Sequence, residues 1–343
     1  MQTANFGIKS SGICQILFYS PGKIIWSVRY FCKVKKSWWP VFIIFLLGGI
    51  WGSSFILIKR GLEVFQPIQV AGLRQFLAGV VLLPWIFQYS LGTSRKDAEP
   101  DAATRLTSGD YYFLFMSGLI GNGIPAFLFS YAGTLIPSGL SGIMNAFTPM
   151  FTLLLGVAFF KDKFTGNGLI GVILGILGAV ILLAPGFIFH SGAQINGLGV
   201  IMVTCAAMMY GYNINLIKHK LSHLPAMVKT AYPFFFMGSP YLLVLMMTGI
   251  MNHWNTAPEK AWTALGYLTI LGVVGSALSM IAFNILIKHT TALVASTNTF
   301  IIPVVAVAWG IVENEPITWN MIVGLLFSLA GIYLIINKPA AKA

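Results

Sequence analysis

Charge is what this chain has least of. Only 9% of its 343 residues are Asp, Glu, Lys or Arg, against about 25% in soluble globular domains. Hydrophobic residues make up 57%, gathered into uncharged runs such as 111–160, too long for one membrane crossing and suited to a helical hairpin. The segments between such runs are too short to hold a soluble catalytic domain. There are nine carboxylates in all, and none falls in the middle of an apolar run. A proton-coupled carrier usually keeps a buried carboxylate. Coupling is therefore expected to be absent or confined to Glu63, Asp110, Glu313 and Glu315, near run ends.

Other shortages narrow the chemistry further. The three cysteines, Cys14, Cys32 and Cys205, have no metal-ligand spacing, and their odd number argues against a disulfide framework. Cys205, in mid-run, reads as a small packing residue, and Cys32 beside the first run as a candidate for acylation. A paired-His metal site, an Asp-rich diphosphate motif and a nucleotide loop are all missing, so no metal, no cofactor and no ATP drive are expected. Gly139-Leu140-Ser141-Gly142 has the look of an intramembrane serine nucleophile. The ninth run offers it no His or Lys base, and the chain is read as not an enzyme.

What the chain has is a surplus of cations, a formal net charge of +12. They stand at the ends of apolar runs, which points to membrane topology and the lipid bilayer; no nucleic-acid partner is expected. Residues 1–37 form a basic cytoplasmic tail. In it Ile24, Val28 and Phe31 share one helical face and Arg29, Lys33 and Lys36 another. That pattern fits either an interfacial helix on an anionic leaflet or a basic, poorly ordered tail.

Ten spans follow: 38–58, 67–89, 111–134, a fourth after the turn at Pro137-Ser138-Gly139 to Phe160, 164–184, 197–217, 225–249, 261–287, 292–312 and 317–336. An even count puts both termini on one side. Placing that side in the cytoplasm leaves only Lys59, Arg60 and Lys260 outside, in line with the positive-inside rule.

The chain also repeats itself. Trp51-Gly52 through Lys59 aligns with Tyr210-Gly211 through Lys218, and Pro67 with Pro225. Gly121 and Phe129 align with Gly275 and Phe283. Asn145 and Pro149 align with Asn298 and Pro303, Asp162-x-x-Thr165 with Glu315-x-x-Thr318, and Gly178 with Gly331. The offset drifts only from 159 to 153. Five spans per copy, an odd number, send the second copy through the membrane the other way. The expected fold is therefore an all-α polytopic membrane protein of ten transmembrane helices. Its two inverted five-helix repeats are 38–184 and 197–337, with a site at the midplane between them.

Trp51-Gly52-Ser53-Ser54-Phe55, Leu73-Arg74-x-x-Leu77-Ala78-Gly79, Pro149 ahead of a charged residue, Thr165 and the Gly-rich fifth span resemble the drug/metabolite transporter superfamily. The nearest resemblance is to its ten-span EamA-type permeases, over about residues 40–337. The resemblance implies an inner-membrane permease, often an exporter of metabolites or amino acids, working by alternating access. It leaves the substrate open. The chain departs from the family in its long basic N-terminal extension and in the two lysines flanking Asp162, which weakens a proton role for that acid.

The candidate contacts for a small-molecule substrate are Trp51, Ser54, Arg74, Asn145, Tyr210, Asn213 and Asn298. Arg74 lies about seven residues into the second span, roughly 10 Å deep; it reads as a substrate or gate contact, as a structural partner of Glu63, or as a side chain snorkelling to the interface. Lys59 is expected to anchor at the interface, with Glu63 in reach at i+4, and Lys218 to act as a positive-inside residue. The asparagines and serines could line a cavity or bond a neighbouring helix. Trp51 and Tyr210 could stack on an apolar solute or pack between helices. Asn145 and Asn298 precede Pro149 and Pro303, which free carbonyls and permit kinks. The leading expectation is a secondary carrier of a small metabolite. A lipid-linked-intermediate flippase and a membrane-embedded lipid-modifying enzyme are the alternatives.

Overall fold

The protein is described by a computed structural model covering residues 4–8, 13–20, 23–31, 38–92, 106–162, 166–188, 196–289 and 297–336. The remainder, including most of the 91–110 loop, Lys163, Thr165 and the basic tail from Asn337, lies outside the described residues. Contacts divide the chain into a unit ending at Phe42 and a unit from Ile43 onward.

The first unit corrects one expectation. Lys23–Phe31 is a strand, not an interfacial helix. It pairs antiparallel with Ile13–Ser20, which pairs in turn with Ala4–Ile8. Ile24, Ile25, Trp26, Val28, Tyr30 and Phe31 are β-branched or aromatic, the residues that suit a pleated backbone. A local helical stripe does not outweigh an available strand partner. A register shift at Phe18/Tyr19 leaves Ile25 without an opposite number, as in a β-bulge.

From Trp39 on, the described residues are helical or in short turns. Seven helices are long and apolar enough to cross a membrane: Trp39–Leu62, Pro67–Tyr89, Ser108–Ala132, Ser138–Phe160, Gly197–Lys220, Ala226–Met247 and Pro258–Leu286. Shorter apolar helices at Gly166–Leu182, Asn298–Val312 and Trp319–Ile335 complete the ten segments. The fifth helix continues past Pro185-Gly186 to Ile188, beyond the expected stop. Phe45, Phe87, Ile173, Val180, Leu243, Met246, Ile311 and Leu326 are apolar and exposed, as a lipid-facing belt requires. The third span opens with a capping box, Thr107 with Asp110, which satisfies two otherwise orphaned N–H groups.

Four spans deviate from regular α-helix, and in each case at positions the repeat aligns. The third and eighth carry π-helical segments, Leu119–Gly123 and Ile270–Leu278, around the aligned Gly121 and Gly275. The fourth breaks at Ala146-Phe147 between Ser138–Asn145 and Thr148–Phe160. Pro149 therefore sits in the first turn of a new helix, where its missing N–H costs nothing. In the ninth, Pro303 likewise lies in the first turn of Ile301–Val312, after a 3-10 turn at Thr297–Phe300.

Close backbone contacts recur in symmetric pairs. Gly171 lies against the Gly331 carbonyl and Gly178 against that of Gly324, so spans five and ten meet by exchanging equivalent positions. Gly79 approaches the Phe234 carbonyl while Gly238 approaches that of Gln75, which does the same for spans two and seven. Gly52 abuts Ile302 and Val305; its mate Gly211 abuts Phe151 and Thr152. Small residues at these crossings let backbones approach, the main source of packing energy where lipid supplies no hydrophobic drive. The offset read from the sequence is thus the operator that relates the contacts.

Candidate functional site between the repeats

The middle of the second unit is built on the two π-helical segments. Opposite Gly121 stands Asn213, and opposite Gly275 stands Ser54; Asn213 and Ser54 are mates by the same offset. Beside them are two aromatic pairs. Tyr210 stacks on Phe129 at 5.7 Å and 23°, and Trp51 meets Phe283 at 5.4 Å and 60°. These four residues are also mates. A π turn aims its extra carbonyl off the regular ladder, and one such carbonyl is used: the Trp51 indole N–H donates to Gly275 O at 3.1 Å and to Ser279 Oγ at 2.9 Å.

Symmetry breaks at one charge. Arg74 occupies the place that Pro233 holds in the other repeat: Gly272 packs on the Arg74 backbone as Gly118 packs on Pro233. The Arg74 Nε donates to Ser276 Oγ at 2.9 Å. The Ser276 hydroxyl donates its own proton to Leu271 O at 3.2 Å, so it is fixed as an acceptor for Arg74. Arg74 and Tyr210 lie within electrostatic range of each other, and both keep part of their surface accessible. The structural ion pair of Arg74 with Glu63 does not form; Glu63 pairs with Arg60 at 2.7 Å.

The other sequence candidates divide. Ser54 is buried and donates to Ile50 O in its own helix. Asn213 keeps a buried carbonyl oxygen with no partner among the described residues, and Asn298, 1% exposed, keeps such an amide nitrogen. Asn145, half-buried, ends the first half of the fourth span and accepts from the Thr148 hydroxyl through its backbone carbonyl at 2.8 Å. The structure thus links Trp51, Ser54, Arg74, Tyr210 and Asn213 around the π segments, and sets Asn145 and Asn298 at the breaks of spans four and nine. Sequence reasoning missed Ser276, Ser279 and Gln75. Ser276 was within reach, as the mate of Asn122 by the same offset. Gln75 donates to Asn122 O at 3.3 Å and leaves its own carbonyl oxygen buried without a partner.

The charges at span ends form a second symmetric set. Lys59 reaches Glu315 at 2.8 Å and Glu313 at 3.6 Å rather than Glu63. Its mate Lys218 pairs with Asp162 at 2.7 Å, and His219 approaches Asp162 at 3.3 Å; Asp162 is the mate of Glu315. Each pair joins one repeat to the other, and each follows a left-handed residue, Lys161 at φ 59° or Asn314 at φ 54°. Lys218 is therefore more than a topology signal. The two pairs differ in depth. The Glu315 side chain is 5% exposed, and its carboxylate also accepts from Ser138 N–H, Ser138 Oγ–H and Gly139 N–H at 2.8–3.0 Å. Asp162 and Lys218 are 29% and 57% exposed. Burial alone would raise the Glu315 carboxyl, but bonds from Gly139, Lys59 and Ser138 outweigh it and hold the group below its ordinary value. Asp162 is lowered chiefly by its hydrogen bond from Lys218.

Comparison with known proteins fits this geometry. The EamA-like transporter family matches residues 38–184 and again 197–337. An uncharacterized transporter of Archaeoglobus fulgidus is 24% identical over 311 residues, 88% of this chain and 99% of its own. The uncharacterized transporter YvbV of Bacillus subtilis is 28% identical, over 85% of this chain and 90% of its own. The uncharacterized inner membrane transporter YedA of Escherichia coli is 24% identical, over 79% and 82%. A crystal structure of a protein 15% identical superposes with a TM-score of 0.57 over 86% of this chain and 94% of that one, a likeness of fold.

Proposed function

The chain belongs to the EamA-like transporter family, and from that premise we propose that it is a secondary carrier. It moves a small metabolite (an amino acid, amine or drug-like solute) outward across the cell membrane by alternating access, with both termini in the cytoplasm. The observation that carries this reading is the pair of ion latches, Lys59–Glu315 and Lys218–Asp162, one at each end of the repeat interface. A solute held between the repeats is released to one side only if one latch opens while the other stays shut. Inverted repeats give two such states by exchanging the conformations of their halves.

The central residues suit a solute with an apolar body and polar ends. Trp51–Phe283 and Tyr210–Phe129 supply apolar walls, while Arg74 and Asn213 supply polar groups. Ordering two rigid aromatic walls costs little entropy, since each side chain has only two torsions. The test is flux in proteoliposomes containing the full chain, with a broad panel of amino acids, amines and aromatic acids. Saturable flux that falls on Trp51→Ala and Tyr210→Ala is expected. No saturable flux from any member of the panel would refute the proposal.

A further inference from the structure

We propose that the solute carries an oxyanion, a carboxylate or phosphate-like group, which the free edge of the Arg74 guanidinium receives. The inference rests on the carrier reading above and names the chemistry of its substrate.

Arg74 is a cation without a countercharge among the described residues. The six described carboxylates stand at span ends: Glu63 and Glu313 with Arg60, Glu315 with Lys59, Asp162 with Lys218, Asp110 with Thr107 and His223, and Glu259 in the first turn of the eighth span. The only bond Arg74 makes among the described residues is from Nε to Ser276 Oγ. The guanidinium is a rigid planar fork, and with Nε so engaged both terminal nitrogens are left without an acceptor among the described residues. The neighbour within electrostatic range is the Tyr210 hydroxyl, which has no partner among the described residues and can donate to the same anion.

An enclosed cation of this kind is tolerable while water reaches it, as its accessible surface allows. Both latches are shut here while Arg74 keeps accessible surface, so the occluded step of alternating access requires the walls around Arg74 to close further. Water then leaves, and an unpaired guanidinium becomes costly unless something replaces the water. No described residue can do so. An oxyanion on the solute can, through two parallel N–H···O bonds. Solute binding and closure are then the same event: the empty site resists closing, and the anion-loaded site does not. The position opposite, Pro233, carries no charge, so the site has one ionic end and aromatic walls.

The test uses the full chain in detergent and four probes with one aromatic body: 3-phenylpropanoate, phenyl phosphate, 2-phenylethylamine and 3-phenylpropanamide. Sodium acetate and inorganic phosphate serve as probes independent of shape. Melting of wild type, Arg74→Gln, Arg74→Lys and Tyr210→Phe is followed with each. The expected result is stabilisation by one or more oxyanion probes. Its apparent affinity falls at least about tenfold in Arg74→Gln and less in Arg74→Lys, with no response to the amine or amide. A preference for phenyl phosphate over the carboxylate assigns the anion as phosphate-like, and the reverse assigns a carboxylate. Arg74→Gln removes a partly buried charge and is expected to fold; Tyr210→Phe gives a milder second variant that keeps the cation. If no anion stabilises wild type more than Arg74→Gln, or if the amine or amide acts equally, the proposal is overturned. Saturable flux of an uncharged or cationic solute that survives Arg74→Gln would overturn it while leaving the carrier reading intact. Absence of any flux would instead remove the carrier reading.

Discussion

Glu315→Gln should open one face of this protein, and Asp162→Asn should hardly affect the other. Glutamine keeps the size of Glu315 but offers one acceptor oxygen in place of two. Four donors converge on the carboxylate, from Lys59, Ser138 (twice) and Gly139. If the glutamine oxygen faces Lys59 and Ser138, its NH2 group faces the Gly139 N–H, donor against donor. One charge-assisted bond is lost and one N–H goes unsatisfied, and Lys59 loses its nearest anion. A charge-assisted bond contributes about 1.5–3 kcal/mol and an orphaned donor costs about 1–3 kcal/mol. Lys59 is a third exposed and regains some solvation, so the net loss is about 2–4 kcal/mol. That corresponds to a shift of roughly thirty- to several-hundred-fold in the latch equilibrium. The Asp162–Lys218 pair is exposed enough to be a surface ion pair, for which about 0.2–1 kcal/mol applies, at most about a fivefold shift. The assay is the rate of maleimide labelling at Ile317→Cys, beside Gly139 and Gly310, in a background lacking Cys14, Cys32 and Cys205. Glu315→Gln should raise that rate by at least about tenfold. Equal changes in Glu315→Gln and Asp162→Asn, or none in the former, would refute the reasoning.

Two further outcomes follow from the same contacts. Both latch carboxyls are held below their ordinary values, so their contribution is complete above about pH 4.5 and fades only as pH falls through the lowered folded values. The labelling rate at Ile317→Cys, divided at each pH by that of a fully exposed cysteine to remove the thiolate dependence, should therefore be flat from about pH 5 to pH 8 and rise only in stronger acid; a step near neutrality would contradict the assignment of Glu315 and Asp162 as the pH-responsive groups. At the crossing of spans five and ten, Gly178→Ala places a methyl group against the Gly324 carbonyl and Ser328, where backbone must yield. Overpacking of this kind costs about 1–3 kcal/mol, read as earlier melting in detergent. The same change at Gly166, which has open space around it, should leave melting unchanged.

Much of this was legible in one dimension. Apolar run length fixes the spans, because lipid leaves the backbone no partner but its own helix. The odd number of spans per repeat fixes their inversion. The aligned residues Gly121 with Gly275, Trp51 with Tyr210, and Asp162 with Glu315 reappear as aligned contacts. Local rules failed where more than one partner was in reach. The i+4 rule offered Glu63 to Lys59, yet Arg60 takes Glu63 and Lys59 crosses to the other repeat. A helical stripe in 23–36 gave way, over Lys23–Phe31, to a strand with a neighbour to pair with. Arg74 stayed ambiguous because its depth is a sequence property while its partner is not. The chain alone determined that it crosses a membrane in two inverted copies, with Arg74 about two turns inside a span. Tertiary structure decided that Arg74 faces Ser276 and no described carboxylate, and that the end charges lock one copy to the other. The reason is that periodicity constrains neighbours a turn apart, whereas partners some two hundred residues apart are chosen by packing.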